Sequence, residues 1–215
     1  MLIAYLHGFQ ASSNANKAQI LKTELQKIDP SINFLSLDFS DDIKLAYFSL
    51  CHFVETVKDR GEDLCLVGSS MGGFQALLLS IKYNIKVALI NPCLYPSKFC
   101  SDNNLLGKTL KNYGTGEEFE ISKEAIEFCN DKEQILKHYR PEKTLVLLQK
   151  ADEVLDYQYA KEHLKNATLD IEDGLDTFFC KYCGRKILLE GQSKAAYEAK
   201  VRVKHMEHEE RLQDK

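Results

Sequence analysis

The chain has 215 residues, 44% of them apolar and 28% charged, with a net charge of −4. That length gives one domain with a sizeable core, and the mild acidity gives no reason to expect a nucleic-acid or membrane-surface partner. No apolar run reaches the ~20 residues of a membrane-spanning helix, and the start MLIAYLHGF lacks the basic and small-residue pattern of a signal peptide, so a cytoplasmic protein is expected.

The first apolar run, Leu2–Leu6, predicts a strand that ends in His7-Gly8-Phe9. After the polar stretch QASSNAN, the segment AQILKTELQKI has apolar residues at helical spacing. Pro30 and Ser31 mark a break, and Ile32–Leu37 predicts a second strand. Asp41 and Asp42 are suited to cap a long helix running to about Arg60. Asp63–Val67 is short and almost wholly apolar, as expected of a strand buried on both faces. Gly72–Tyr83 predicts the next helix and Lys86–Ile90 another buried strand. Thr144–Gln149 and Thr168–Glu172 predict two more strands, with a helix over Tyr157–Lys165 between them. Strands alternating with helices predict a mainly parallel sheet covered on both faces.

Two regions break that rhythm. The stretch 91–141 contains Pro92, Pro96 and helical pieces around Ser122–Tyr139, and its roughly 50 residues are long for a plain crossover. It is expected to be an insertion that passes over the sheet edge as a lid. From Ser193 the chain is highly charged with few large apolar residues, which predicts a solvated terminal helix. The expected organisation is a domain over 1–174 followed by a divergent segment over 175–215.

Gly68-Ser69-Ser70-Met71-Gly72 matches G-x-S-x-G between a buried strand and a helix. A serine presented on so tight a turn needs small neighbours, and the helix N-terminus behind it favours developing negative charge. A plain Gly/Ser turn is the alternative, weakened by the strand and helix that flank the motif. In a serine hydrolase the backbone N–H after the nucleophile, here Met71, and one from the loop after the first strand, here His7-Gly8-Phe9, cradle the oxyanion. Asp152, just past the strand TLVLLQ, stands where the orienting carboxylate of a triad belongs and is nearer the strand end than Asp156. The alternative for both carboxylates is capping of the next helix.

Four stretches together resemble the YqiA/YcfP-type esterases, a branch of the α/β-hydrolase superfamily. They are YLHGFQASSNANKA at 5–18, LVGSSMGGFQALLLS at 66–80, VALINPCLYP at 87–96 and LVLLQKADEVLDYQYA at 145–160. The resemblance implies an α/β-hydrolase fold and a cofactor-free serine hydrolase acting on a small-molecule ester or thioester. It implies Ser70 as nucleophile, Asp152 as acid, and the amides of Phe9 and Met71 as the oxyanion hole. Where the family carries E-G-G-[DN]-H-x-F with the general-base histidine, this chain reads Glu172-Asp173-Gly174-Leu175-Asp176-Thr177-Phe178, which puts Asp176 in the base position.

Three readings of that difference stand side by side. Another histidine fills the role, from His205, His208, His138, His163 or His52; or the chain is a hydrolase that has lost its activity; or Asp176 is itself the base. For each of these histidines an exposed helical position is the plainer reading. Separately, Cys180-x-x-Cys183 and His205-x-x-His208 supply four ligands of the kind zinc takes, although 21 residues between the pairs is long for a common finger. Unliganded thiols are the alternative. The other five cysteines, at 51, 65, 93, 100 and 129, fall inside apolar stretches and are expected to be buried free thiols.

Overall fold

The computed structural model describes residues 1–173. Its centre is a six-stranded sheet, all of whose pairings are parallel. The strands are β1 (Leu2–Leu6), β2 (Asn33–Leu37), β3 (Leu64–Ser69), β4 (Lys86–Ile90), β7 (Thr144–Gln149) and β8 (Thr168–Glu172), in the order β2-β1-β3-β4-β7-β8. The small antiparallel hairpin β5 (Thr109–Lys111) and β6 (Glu118–Glu120) stands apart from it. The helices are α1 (Asn16–Ile28), α2 (Ile43–Asp59), α3 (Met71–Tyr83), α4 (Pro96–Asp102), α5 (Lys123–Glu133) and α6 (Tyr157–His163).

The four inner strands are apolar because both their faces are covered. Ala4, Leu6, Leu66, Leu89, Val146 and Leu148 point to one face, against Leu50 and Val54 of α2 and Phe74 and Leu77 of α3. The alternate residues Ile3, Tyr5, Val67, Ile90 and Leu147 point to the other, with Ala18, Leu21 and Leu25 of α1. The outer strands β2 and β8 have partly exposed side chains, as edge strands should. Asp42 caps α2 as expected, its carboxylate accepting from the amides of Lys44 and Leu45. Among the described residues no helix is long and apolar enough to cross a membrane.

The chain enters at β1, steps to one side for β2, then returns past β1 to β3 and continues outward. The boundary between β1 and β3 is therefore the switch point of the sheet, where open parallel sheets form a crevice at the strands' carboxyl ends.

The insertion follows β4 as expected, but it contains a hairpin that the apolar pattern did not signal. Its hairpin meets the loops that follow β1 and the edge strand β2, at the carboxyl ends of those strands. Buried Asn112 anchors it, donating to Ala11 O and to the Asp41 carboxylate while accepting from the amides of Gly114 and Thr115. Tyr113 N and Gln10 Nε2 add two more bonds between the hairpin and the loop after β1.

Candidate active site

Strand β3 ends at Ser69 and helix α3 begins at Met71, so Ser70 alone makes the turn. It does so at φ 53° and ψ −119°, a conformation that costs a non-glycine residue about 1–3 kcal/mol. Backbone hydrogen bonds hold it there: Ser70 N donates to Ile90 O, while Ser70 O accepts from Gly73 N and Cys93 N. The neighbouring glycines are required by contact. A Cβ on Gly68 would come within 2.3 Å of Gly72 O, and one on Gly72 would lie 2.3 Å from His7 O and Leu6 O. On Gly73 it would meet Pro92 at 2.8 Å.

The loop after β1 comes up beside the serine, and a Cβ added at Gly8 would stand 3.2 Å from the Cβ of Ser70. Phe9 follows, its ring edge-on to Phe99 and Phe119 of the insertion. Asp38 pins the far side of this loop, its carboxylate accepting from Ser13 N and Oγ at 2.6 Å each. Those donors, the hydroxyl first, lower the Asp38 pKa.

His7 is buried, stacked on Phe39 at 4.0 Å, with Nδ1 in hydrogen-bond contact with Gly8 O. Burial lowers its pKa, against the opposing pull of the Gly8 bond and of Asp38 and Asp41. This histidine shapes the loop and does not line the cavity at Ser70.

That cavity, of about 330 Å3, is lined by Lys17, Ser69, Ser70, Asn91, Gln149 and residues 151–155, Asp152 among them. Asp152 is held by three donors: Oδ1 accepts from the amides of Val154 and Leu155, and Oδ2 from Asn91 Nδ2 at 2.8 Å. Asp156 instead caps α6, accepting from Gln158 N, so the two carboxylates have separate tasks. Asn91 also donates to Gln149 Oε1 and accepts from Gln149 N. Sequence reasoning assigned Asn91 no role. Its only signal in the sequence is an amide side chain between a buried strand and Pro92; in the structure it has φ 40°.

Of the described histidines, His52, His138 and His163 lie exposed on α2, on a 3-10 turn and on α6, and none lines the Ser70 cavity. Asp176, Cys180, Cys183, His205 and His208 lie outside the described residues. Among the described residues no group of three or more His, Cys, Asp and Glu side chains is arranged to hold a metal.

A parallel sheet with its strand–serine–helix turn at the switch point defines an α/β-hydrolase fold. Known structures of that fold superpose on it. Est1E from Butyrivibrio proteoclasticus aligns with a TM-score of 0.69 at 17% identity, covering 88% of this chain and 87% of its own. A Paleococcus ferrophilus monoacylglycerol lipase aligns with a TM-score of 0.61 at 13% identity, covering 86% and 91%.

Within that fold, the chain belongs to the uncharacterised protein family UPF0227, whose profile it matches over residues 1–184. A UPF0227 protein of Yersinia pestis is 28% identical over 158 residues, 73% of this chain and 78% of the relative. The match passes residue 174, so Asp176, Cys180 and Cys183 fall inside it and His205 and His208 beyond it.

Proposed function

We propose that the chain is a serine hydrolase of carboxylic esters or thioesters that works through an acyl-enzyme on Ser70. The observation that carries this reading is the strained Ser70 facing the same cavity as Asp152, whose carboxylate is fixed by three donors. Ser70 Oγ attacks the carbonyl carbon and gives up its proton to a base. The carbonyl oxygen takes the negative charge beside the amides of Met71 and Phe9, the first of them at the positive end of α3. The bond to the leaving oxygen or sulfur then breaks, and the leaving group takes the proton. Water repeats the sequence and frees the acid.

Asp152 orients the base in this mechanism, and we assign the base to the chain beyond residue 173, where Asp176, His205 and His208 are the candidates. A general base contributes about 10²–10⁴-fold, so its identity decides whether Ser70 turns over substrate quickly. The second reading, a hydrolase fold without activity, is favoured by the aspartate at position 176 where the resemblance calls for histidine.

Labelling by a fluorophosphonate and hydrolysis of p-nitrophenyl acetate separate the two. Active protein labels at Ser70, and Ser70→Ala abolishes both signals. Folded wild type that gives neither refutes the enzyme reading. Single alanine variants at 176, 205 and 208 then identify the base by which one lowers kcat at least about 100-fold.

A further inference from the structure

Val154 and Leu155 line the Ser70 cavity and also line a second cavity of about 240 Å3, so one wall is common to both. The second cavity is an open groove, bordered by Leu94, Tyr95 and Phe99 from the insertion and by Tyr159 and Ala160 from α6. Leu94 and Ala160 belong to the buried core, and Tyr95, Phe99 and Leu155 pack against it. Tyr95 and Tyr159 meet edge to face at 4.9 Å and form an aromatic corner, with the His163 ring packed against both. The charged groups at this cavity are Lys98, Asp102 and Asp156, all exposed; Lys98 and Asp102 pair with each other at 2.6 Å, and Asp156 caps α6. A ligand there meets mostly carbon.

We propose that this second cavity receives the apolar group of the substrate, an aryl or medium-length alkyl group next to the scissile carbonyl. The proposal rests on the hydrolase reading above: the carbonyl sits at Ser70 and the apolar group extends past Leu155 to the Tyr95–Tyr159 corner. Size agrees, since a cavity of roughly 150 Å3 already holds a benzene ring. A compartment of about 240 Å3 therefore has room for a phenyl group on a short linker. Because Val154 and Leu155 border both cavities, the second lies directly beside Ser70's own, and the occupant proposed for it is a part of the same molecule.

Two ester series test this on the full chain, one lengthening the acyl group from p-nitrophenyl acetate to hexanoate, the other the alcohol from ethyl to hexyl acetate. In one of the two, kcat/KM rises about two- to fourfold per methylene, and Tyr159→Ala flattens that rise. A flat profile in both series, or a ratio that Tyr159→Ala leaves unmoved, overturns the compartment while the Ser70 chemistry stands. Binding gives a readout independent of turnover. Methyl 3-phenylpropionate titrated into Ser70→Ala is expected to give saturable NMR shifts at the methyls of Leu94, Val154 and Leu155. Absence of those shifts overturns the proposal even in an active esterase. Shifts in a protein that hydrolyses nothing uphold the compartment and refute the enzyme reading instead.

Discussion

The side-chain amide of Asn91 makes three hydrogen bonds to two residues, two to Gln149 and one to the Asp152 carboxylate. Truncation to alanine leaves the buried Gln149 N–H without its acceptor and Asp152 with two of its three donors. A buried polar group left unsatisfied costs about 1–3 kcal/mol. Asn91→Ala is therefore expected to lower unfolding stability by about 2 kcal/mol in urea. It is also expected to lower kcat/KM for p-nitrophenyl acetate about tenfold, since a carboxylate that orients a base must itself be held. A stable variant with undiminished kcat/KM would remove Asn91 from the positioning role. The sequence hides this residue because an asparagine at a strand end is an ordinary turn former, and its partners are 58 and 61 positions away.

At the level of the elements, β3, the Ser70 turn and α3 act as one unit because Gly68, Gly72 and Gly73 remove the Cβ atoms that would collide at the crossing. Gly72 rests on the backbone at Leu6, the end of β1, and at His7 just beyond it, so a methyl group there pushes α3 off the sheet. Gly72→Ala is expected to cost about 3 kcal/mol and to lower Tm by roughly 6–12 °C, measured by thermal circular dichroism. An unchanged Tm would mean the crossing is looser than these contacts require.

The central strands were legible in the sequence since burial on both faces leaves an almost unbroken apolar run, as in TLVLLQ and KVALI. The hairpin β5–β6 was not. Its strands TLK and EFE are three residues each, carry one apolar side chain apiece and are secured by Asn112 instead of by a face of their own.

Across the whole molecule the fold, and the places of Ser70 and Asp152 just past the ends of β3 and β7, could be read from four short stretches. The base could not, because a triad histidine is defined by its place in space and no described histidine occupies that place. The cysteines follow the opposite logic. Cys51, Cys65, Cys93, Cys100 and Cys129 are all buried free thiols, as the apolar stretches around them suggested. Burial pushes Cys65 and Cys93 up to about 12 and Cys100 up to about 11, and raises Cys129 as well. At pH 8 about one Cys100 in a thousand is then thiolate, the reactive form. Iodoacetamide followed by peptide mass spectrometry is expected to leave these four unlabelled in native protein and to modify all four in urea. Native labelling of the Cys65 peptide would show the sheet opening at pH 8.

The positive φ of Ser70 bears on the history of the chain as well as on its chemistry. Glycine adopts such a conformation with little strain, so at this position the residue that suits the backbone best and the nucleophile proposed here are different. A chain kept only for its shape would gain from exchanging serine for glycine at this φ. On the proposed hydrolase reading, Ser70 keeps its hydroxyl at the expense of the strain that glycine would relieve.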